Sequence, residues 1–194
     1  MMILYGMPLS GHVHRVQLLL SMLGIDYRFE IVSGPTPELL RLNPLGQIPI
    51  LCDGDLVLAD SNAILVYLAK AYGAGTLWLP DDPVGAARVQ RWLSIAAGEL
   101  RQGPAAARMV ALWQRPGEPA DACVRAERLL AFMDAHLDGR TFLAARPPTI
   151  ADLACYGYVA HAPEGHVSLE PYPNVRAWLL RVEALPGFLP MPWI

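Results

Sequence analysis

The chain has 194 residues, enough for one large domain or two small ones with their own cores. A net charge of −3 with dispersed basic residues argues against a nucleic-acid surface, and no apolar run approaches the roughly 18 residues that span a bilayer. Cys52, Cys123 and Cys155 form neither a C-x-x-C pair nor a Cys/His cluster with metal-ligand spacing, so no metal site is expected and the three read as small buried hydrophobes.

Residues 2–5 read as a short buried strand. From His12 to Gly24 the apolar positions Val13, Val16, Leu19, Leu20 and Leu23 recur at helical spacing, with Gly24 as the C-terminal stop. Tyr27 to Val32 alternates as a second strand, and Thr36 to Leu42 is a short helix ending before Asn43-Pro44. Ile48 to Cys52 and Asp55 to Leu58 read as strands joined at Asp53-Gly54, a strong hairpin signal. Asp60 to Tyr72 is helical again, with Ile64, Leu65, Leu68 and Tyr72 expected on one face.

The order β-α-β-α-β-β-α predicts a thioredoxin-like domain over residues 1–74. "GAGTLWLPDDP", 73–83, is Gly- and Pro-rich and places a linker at 75–83. No alternating run follows. Residues 84–115, 119–138, 150–162 and 173–185 read as helices punctuated by Pro116, Pro147-Pro148, Pro163 and Pro186, so 84–194 is expected to form an all-α helical bundle. The class is α+β. Near Met1 there is no basic stretch followed by an apolar run and a small-residue cleavage site, so the expected location is cytoplasmic. Fourteen Arg against the single Lys70 suggest a GC-rich bacterial genome.

Four stretches carry a family likeness. "LYG" followed by Ser10 and the helical "RV", "NPLGQIPIL" (43–51), "LADSNAILVYLA" (58–69) and "PTIADLACY" (148–156) stand in the order and at the separations of cytosolic glutathione transferases. The chain resembles a bacterial beta-class-like member in which Ser10 stands where that class, and the glutathione-dependent reductases, carry a Cys. The resemblance implies glutathione as co-substrate, a hydrophobic electrophile as its partner in the reaction, and a homodimer.

It also implies roles for individual residues, each with a plainer alternative. Pro49 is expected to be cis, which a fold retains at a cost of only about 0.5–1 kcal/mol. Ile48 would then offer its main chain to glutathione as to a short added strand; otherwise Pro49 merely starts a strand. Asp60 is a good helix N-cap, yet it also matches the position that pairs with the γ-glutamyl ammonium. Ser61 would take the γ-glutamyl carboxylate at a helix start. Gln47 either meets the glycyl end or is an exposed loop amide. "AAGELRQ" (96–102) resembles the beta-class stretch whose basic pair borders the site, so Arg101 reads as a ligand contact or as a solvated helix arginine. Thr149 and Asp152 read as a capping box that supports folding.

Ser10 carries the mechanism. A free thiol has a pKa near 8.5, so only a few per cent is thiolate at pH 7. Lowering that value by about 2 units takes roughly 2.7 kcal/mol. A hydroxyl hydrogen bond to a charged acceptor supplies about 1.5–3 kcal/mol, and a helix N-terminus up to about 2. Ser10 with the following helix is therefore sufficient in magnitude. Tyr5 is the rival, near where tyrosine-type transferases carry a phenol, though it closes the strand and reads rather as a core or site-wall aromatic. His12 and His14 are weaker rivals as bases. The second substrate is expected between the domains, against Met7, Leu9, Ala105, Met109, Trp113 and Tyr156. Two alternatives to conjugation stand beside it: a glutathione-dependent disulfide or peroxide reductase, and a non-catalytic ligand-binding member.

Overall fold

A computed structural model describes residues 1–114 and 119–194. Strand β1 (Met2–Gly6) leads into helix α1 (Gly11–Met22), β2 (Tyr27–Ile31), α2 (Pro37–Leu42), β3 (Ile50–Asp53), β4 (Leu56–Ala59) and α3 (Ser61–Ala71). The four strands form one sheet in the order β2-β1-β3-β4, with β1 and β2 parallel and the other pairs antiparallel. The parallel pair follows from the helical crossover between its strands, which a two-residue turn could not provide.

Several boundaries differ from the sequence reading for local reasons. Pro49 has no N–H to give a ladder, so β3 begins at Ile50, which pairs with Tyr5. The hairpin turn is Gly54-Asp55 rather than Asp53-Gly54: Asp53 still pairs with Leu56, and Gly54 takes the positive φ of 58°. Ile64, Leu65 and Leu68 are buried as expected, but Tyr72 is 42% exposed. It caps α3 and, with Tyr67, turns its hydroxyl to the Asp53 carboxylate.

The second half is helical: α4 (Pro83–Ala97), α5 (Ala106–Trp113), α6 (Pro119–Leu137), α7 (Ile150–Ala160) and α8 (Pro173–Glu183). The helix expected over 84–115 is interrupted. Gly98 caps α4, and Arg101–Ala105 form a π-helical turn before α5. Pro104 removes a backbone donor within that turn, and a wider turn accommodates the loss. Gly103 is required there, since an added Cβ would lie 2.8 Å from the Ala126 backbone nitrogen of α6. Residue 115 and Pro116, the expected breaker, lie outside the described residues. The helix expected over 150–162 stops at Ala160, and residues 162–165 tighten into a 3-10 turn containing Pro163.

Helix α7 is the centre of the molecule. All eleven of its residues are buried, and it packs against α1, α3, α4 and α8, so one helix serves both halves. The expected capping box holds its start. Asp152 accepts from Thr149 N–H at 2.9 Å, from Leu143 N–H at 2.9 Å and from the Trp178 indole at 2.9 Å. The last segment of the chain crosses back to α1: the Ser21 hydroxyl donates to Gly187 O and the His14 ring meets Leu189 O, both at 2.7 Å. Among the described residues no helix is long and apolar enough to cross a membrane.

Candidate active site

A cleft of about 970 Å³ opens between the sheet-bearing half and the helical half. One wall comes from the first β-α turn. Ser10 caps α1: its Oγ accepts from Val13 N–H at 3.4 Å and its carbonyl from His14 N–H at 2.9 Å. As an acceptor the Oγ keeps its own proton to donate. Ser10 lines the cleft with Met7 and Leu9, so capping and facing the cleft are compatible roles of one side chain.

The second wall is the loop before β3. Buried Asn43 organises it, donating through Nδ2 to Gln47 O at 2.9 Å and accepting Leu45 N–H at 3.2 Å. Gln47 and Ile48 therefore reach the cleft, and the Ile48-Pro49 bond is cis as expected. Among the described residues no group pairs with the Ile48 N–H or C=O. Pro49 is buried behind Ile48 and does not itself line the cleft.

The third wall is the start of α3. Asp60 holds φ 72°, a backbone region that only glycine enters freely. Its Oδ1 accepts from both Asn62 N–H and Ala63 N–H at 2.9 Å. Ser61 is 5% exposed, and its Oγ accepts from Arg15 Nη1 at 3.2 Å.

The helical half closes the cleft with Arg101, Ala105, Met109 and Trp113, four of the expected residues. The guanidinium of buried Arg108 lies over the Trp113 ring, 5.3 Å from its centroid. It also donates to Leu9 O at 2.7 Å and pairs with Glu164.

Two further expected residues are elsewhere. Tyr5 sits within β1 between Glu30 and Ile50 and does not line the cleft, which fits a core aromatic rather than a catalytic phenol. Burial also pushes its phenol further up, away from ionisation. Tyr156 points the other way, donating to Glu183 at 2.9 Å and packing edge-on against Phe188. Its place in the cleft is taken by Tyr158, two residues on. Because every residue of α7 is buried, no polar stripe distinguishes its faces in the sequence.

Tyr158 stands against Gly11 so closely that a Cβ there would meet its ring at 2.9 Å. Burial raises the Tyr158 pKa, opposed by the Arg15 and Arg108 charges and by hydrogen bonding from the His12 backbone and the Ser10 side chain. His12 faces the cleft but burial, with Arg15 and Arg101 nearby, pushes its pKa down to about 3. It is neutral at pH 7 and poorly matched to general-base work. None of the three cysteines lines the cleft, and among the described residues no cluster could hold a metal ion.

The arrangement presents an unpaired backbone stretch at Ile48, a helix start and a capping hydroxyl, with an apolar wall opposite. Family models agree with it: the glutathione S-transferase N-terminal domain matches residues 4–76 and the C-terminal domain matches residues 109–186. The chain belongs to the glutathione S-transferase family. This transferase is 36% identical over 203 aligned residues to glutathione S-transferase 3 of Zea mays, covering 95% of this chain and 90% of that protein. It is 28% identical to the Escherichia coli K12 glutathione S-transferase GstB, covering 96% of this chain and 95% of that one. A glutathione S-transferase structure from Xanthobacter autotrophicus Py2 superposes with a TM-score of 0.91 at 34% identity, over 99% of this chain and 97% of the other. A glutathione transferase homologue from Drosophila mojavensis, solved with bound glutathione, superposes at 0.83 with 30% identity, over 95% and 88%.

Proposed function

We propose that this transferase adds the glutathione thiolate to hydrophobic electrophiles and that the Ser10 hydroxyl stabilises the thiolate. The observation that carries the reading is Ser10 itself, which caps α1 as an acceptor and lines the cleft beside Tyr158. Glutathione would pair its cysteinyl main chain with Ile48, set its γ-glutamyl carboxylate on Ser61 and its ammonium near Asp60, and extend its glycyl end towards Gln47. That peptide pose brings the sulfur to Ser10. Arg101 stands across the cleft as a cation for the glycyl carboxylate or the thiolate. Met7, Leu9, Ala105, Met109 and Trp113 supply the apolar wall for the electrophile.

The nucleophile belongs to the co-substrate, since no protein thiol lines the cleft. Burial pushes the Cys155 thiol up to about 12, which makes it inert. We also propose a homodimer. Exposed Leu56 and Val57 on the edge strand β4, with Leu77 and Val84 beyond it, are apolar surface that a second copy would cover. The unpaired cysteines suit the reducing cytosol, where we place the enzyme.

The test is the thiol pKa of bound glutathione, followed by thiolate absorbance in wild type and Ser10→Ala, with conjugation and disulfide-reduction rates alongside. We expect a wild-type value about 2 units below 8.5, returning towards it in the variant, with conjugation falling in parallel. An unchanged pKa and unchanged rates in Ser10→Ala would overturn the mechanism. Disulfide reduction without conjugation would move the assignment to a reductase.

A further inference from the structure

The two buried arginines of this transferase are treated differently. Arg108 is 1% exposed and its charge is met by Glu164. Arg15 is also 1% exposed, yet among the described residues no carboxylate forms an ion pair with it. Its Nη1 donates to Ser61 Oγ at 3.2 Å and to Asn62 Oδ1 at 2.8 Å, while its Nε and Nη2 have no partner. A buried charge without a direct ion-pair partner disfavours the folded state, and here the Asp60 charge supports it only from a distance. This one borders the cleft, beside the start of α3.

We propose that Arg15 is the positioning residue for the γ-glutamyl α-carboxylate, whose charge it neutralises through the Ser61 hydroxyl. The proposal rests on the glutathione reading above. The chemistry follows from donor directions. Ser61 Oγ accepts from the guanidinium, so its own O–H is left to donate. A hydroxyl polarised by a cation is a stronger donor. The Ser61 N–H also has no acceptor among the described residues, whereas the Asn62 and Ala63 N–H groups are taken by Asp60. Two donors on one residue thus face an incoming carboxylate, at the positive end of α3 with a buried positive charge behind them. Asn62 holds the guanidinium in place, being itself anchored by its Nδ2 to Leu93 O at 3.0 Å.

The experiment compares glutathione with 4-aminobutanoyl-Cys-Gly, which lacks only the α-carboxylate, in wild type, Arg15→Met and Arg15→Lys. Dissociation constants are measured by calorimetry. Wild type should favour glutathione by roughly 100-fold or more, and Arg15→Met should cut that preference by about 10-fold or more while leaving the affinity for the analogue within about threefold. Arg15→Lys, which keeps the charge, should retain an intermediate preference. Equal losses for both peptides would mean that Arg15 is merely structural, and an unchanged preference would mean that it does not sense the carboxylate. Either overturns the proposal. Should Arg15→Met not fold, the wild-type Arg15 Nε–H NMR signal decides: it should shift with glutathione and not with the analogue, and no shift at saturation overturns the proposal. If wild type binds neither peptide, the glutathione reading itself falls and this proposal with it. If both peptides bind, only the role of Arg15 is at stake.

Discussion

Arg108 Nη1 donates to the carbonyl oxygen of Leu9 at 2.7 Å, so a side chain of helix α5 holds the backbone of the residue immediately before Ser10. The same guanidinium pairs with Glu164, whose other oxygen accepts the Ile194 N–H at 2.9 Å. Burial works against the Glu164 carboxylate, but the bonds from Arg108 and Ile194, the Arg108 charge and the His161 contact hold its pKa below the ordinary value. The helical half thus sets the position of the proposed sulfur-facing hydroxyl without contacting the sulfur.

Replacing Arg108 should therefore separate turnover from binding. In Arg108→Lys the charge persists but the fork that reaches both Leu9 O and Glu164 is lost. Conjugation kcat should fall by about 10- to 100-fold, because a displacement near 1 Å at a reacting group costs that order. Glutathione affinity should stay within about threefold, since Ile48 and Ser61 are untouched. Steady-state kinetics with calorimetry checks this, and a wild-type kcat in Arg108→Lys would refute the link from Arg108 to Ser10.

Asp60 combines a strained backbone, a helix cap and a proposed ammonium contact, and one substitution separates the last from the first two. Asp60→Asn keeps an Oδ1 acceptor for the Asn62 and Ala63 N–H groups, and Asn tolerates positive φ comparatively well. Melting temperature should stay within a few degrees of wild type, while glutathione affinity should drop by about 10-fold through loss of the charged acceptor. A loss of stability without loss of affinity would leave Asp60 as a cap alone.

Acid should destabilise the fold through His14 and His12. Burial pushes His14 down to about 4, opposed by its bond to Leu189 O, and His12 down to about 3. In the unfolded chain both titrate near 6.5. The contribution of the neutral rings is fully present above 6.5, and it is lost as pH falls towards the folded values because the unfolded chain then binds the extra protons. His14→Gln keeps a donor for Leu189 O and removes one titration. Between pH 6 and 4.5 the fall in unfolding free energy should become shallower by about one proton, near 1.4 kcal/mol per pH unit. Denaturant melts at several pH values measure the slope, and an unaltered slope would exclude His14.

The parts of the site that were readable before the structure are those written in short contiguous stretches. Ser10 before a helical run, Ile48-Pro49 and Asp60-Ser61 each advertise a local backbone event, and all but the buried Pro49 reach the cleft. Arg108 carries no such signal, and the helical "RV" does not mark Arg15 as buried: the packing of α1 against α3 and α7 and of α5 against the 162–165 turn buries them. Tyr158, not Tyr156, reaches the cleft, and a helix buried on all sides has no orientation readable in the sequence. The π-helical turn has no mark in the sequence, because the loss of the Pro104 donor is accommodated inside the helix rather than ending it.

Asp152 tests how the helical half holds together. It is fully buried, and burial raises its pKa, opposed by the bonds from Leu143 and Thr149 N–H, from the Trp178 indole and from the Thr149 hydroxyl. Asp152→Ala would strand three buried N–H donors at once. At about 1–3 kcal/mol for each unsatisfied group, the loss should be roughly 3–5 kcal/mol after partial relaxation. That is a large share of the 5–15 kcal/mol typical of a folded domain. Asp152→Asn keeps one oxygen acceptor and should lose about half as much. Soluble yield and unfolding midpoint should fall in the order wild type, Asn, Ala, while glutathione affinity of the folded fraction stays near wild type because Asp152 does not line the cleft. A stable Asp152→Ala protein that no longer bound glutathione would reverse this assignment.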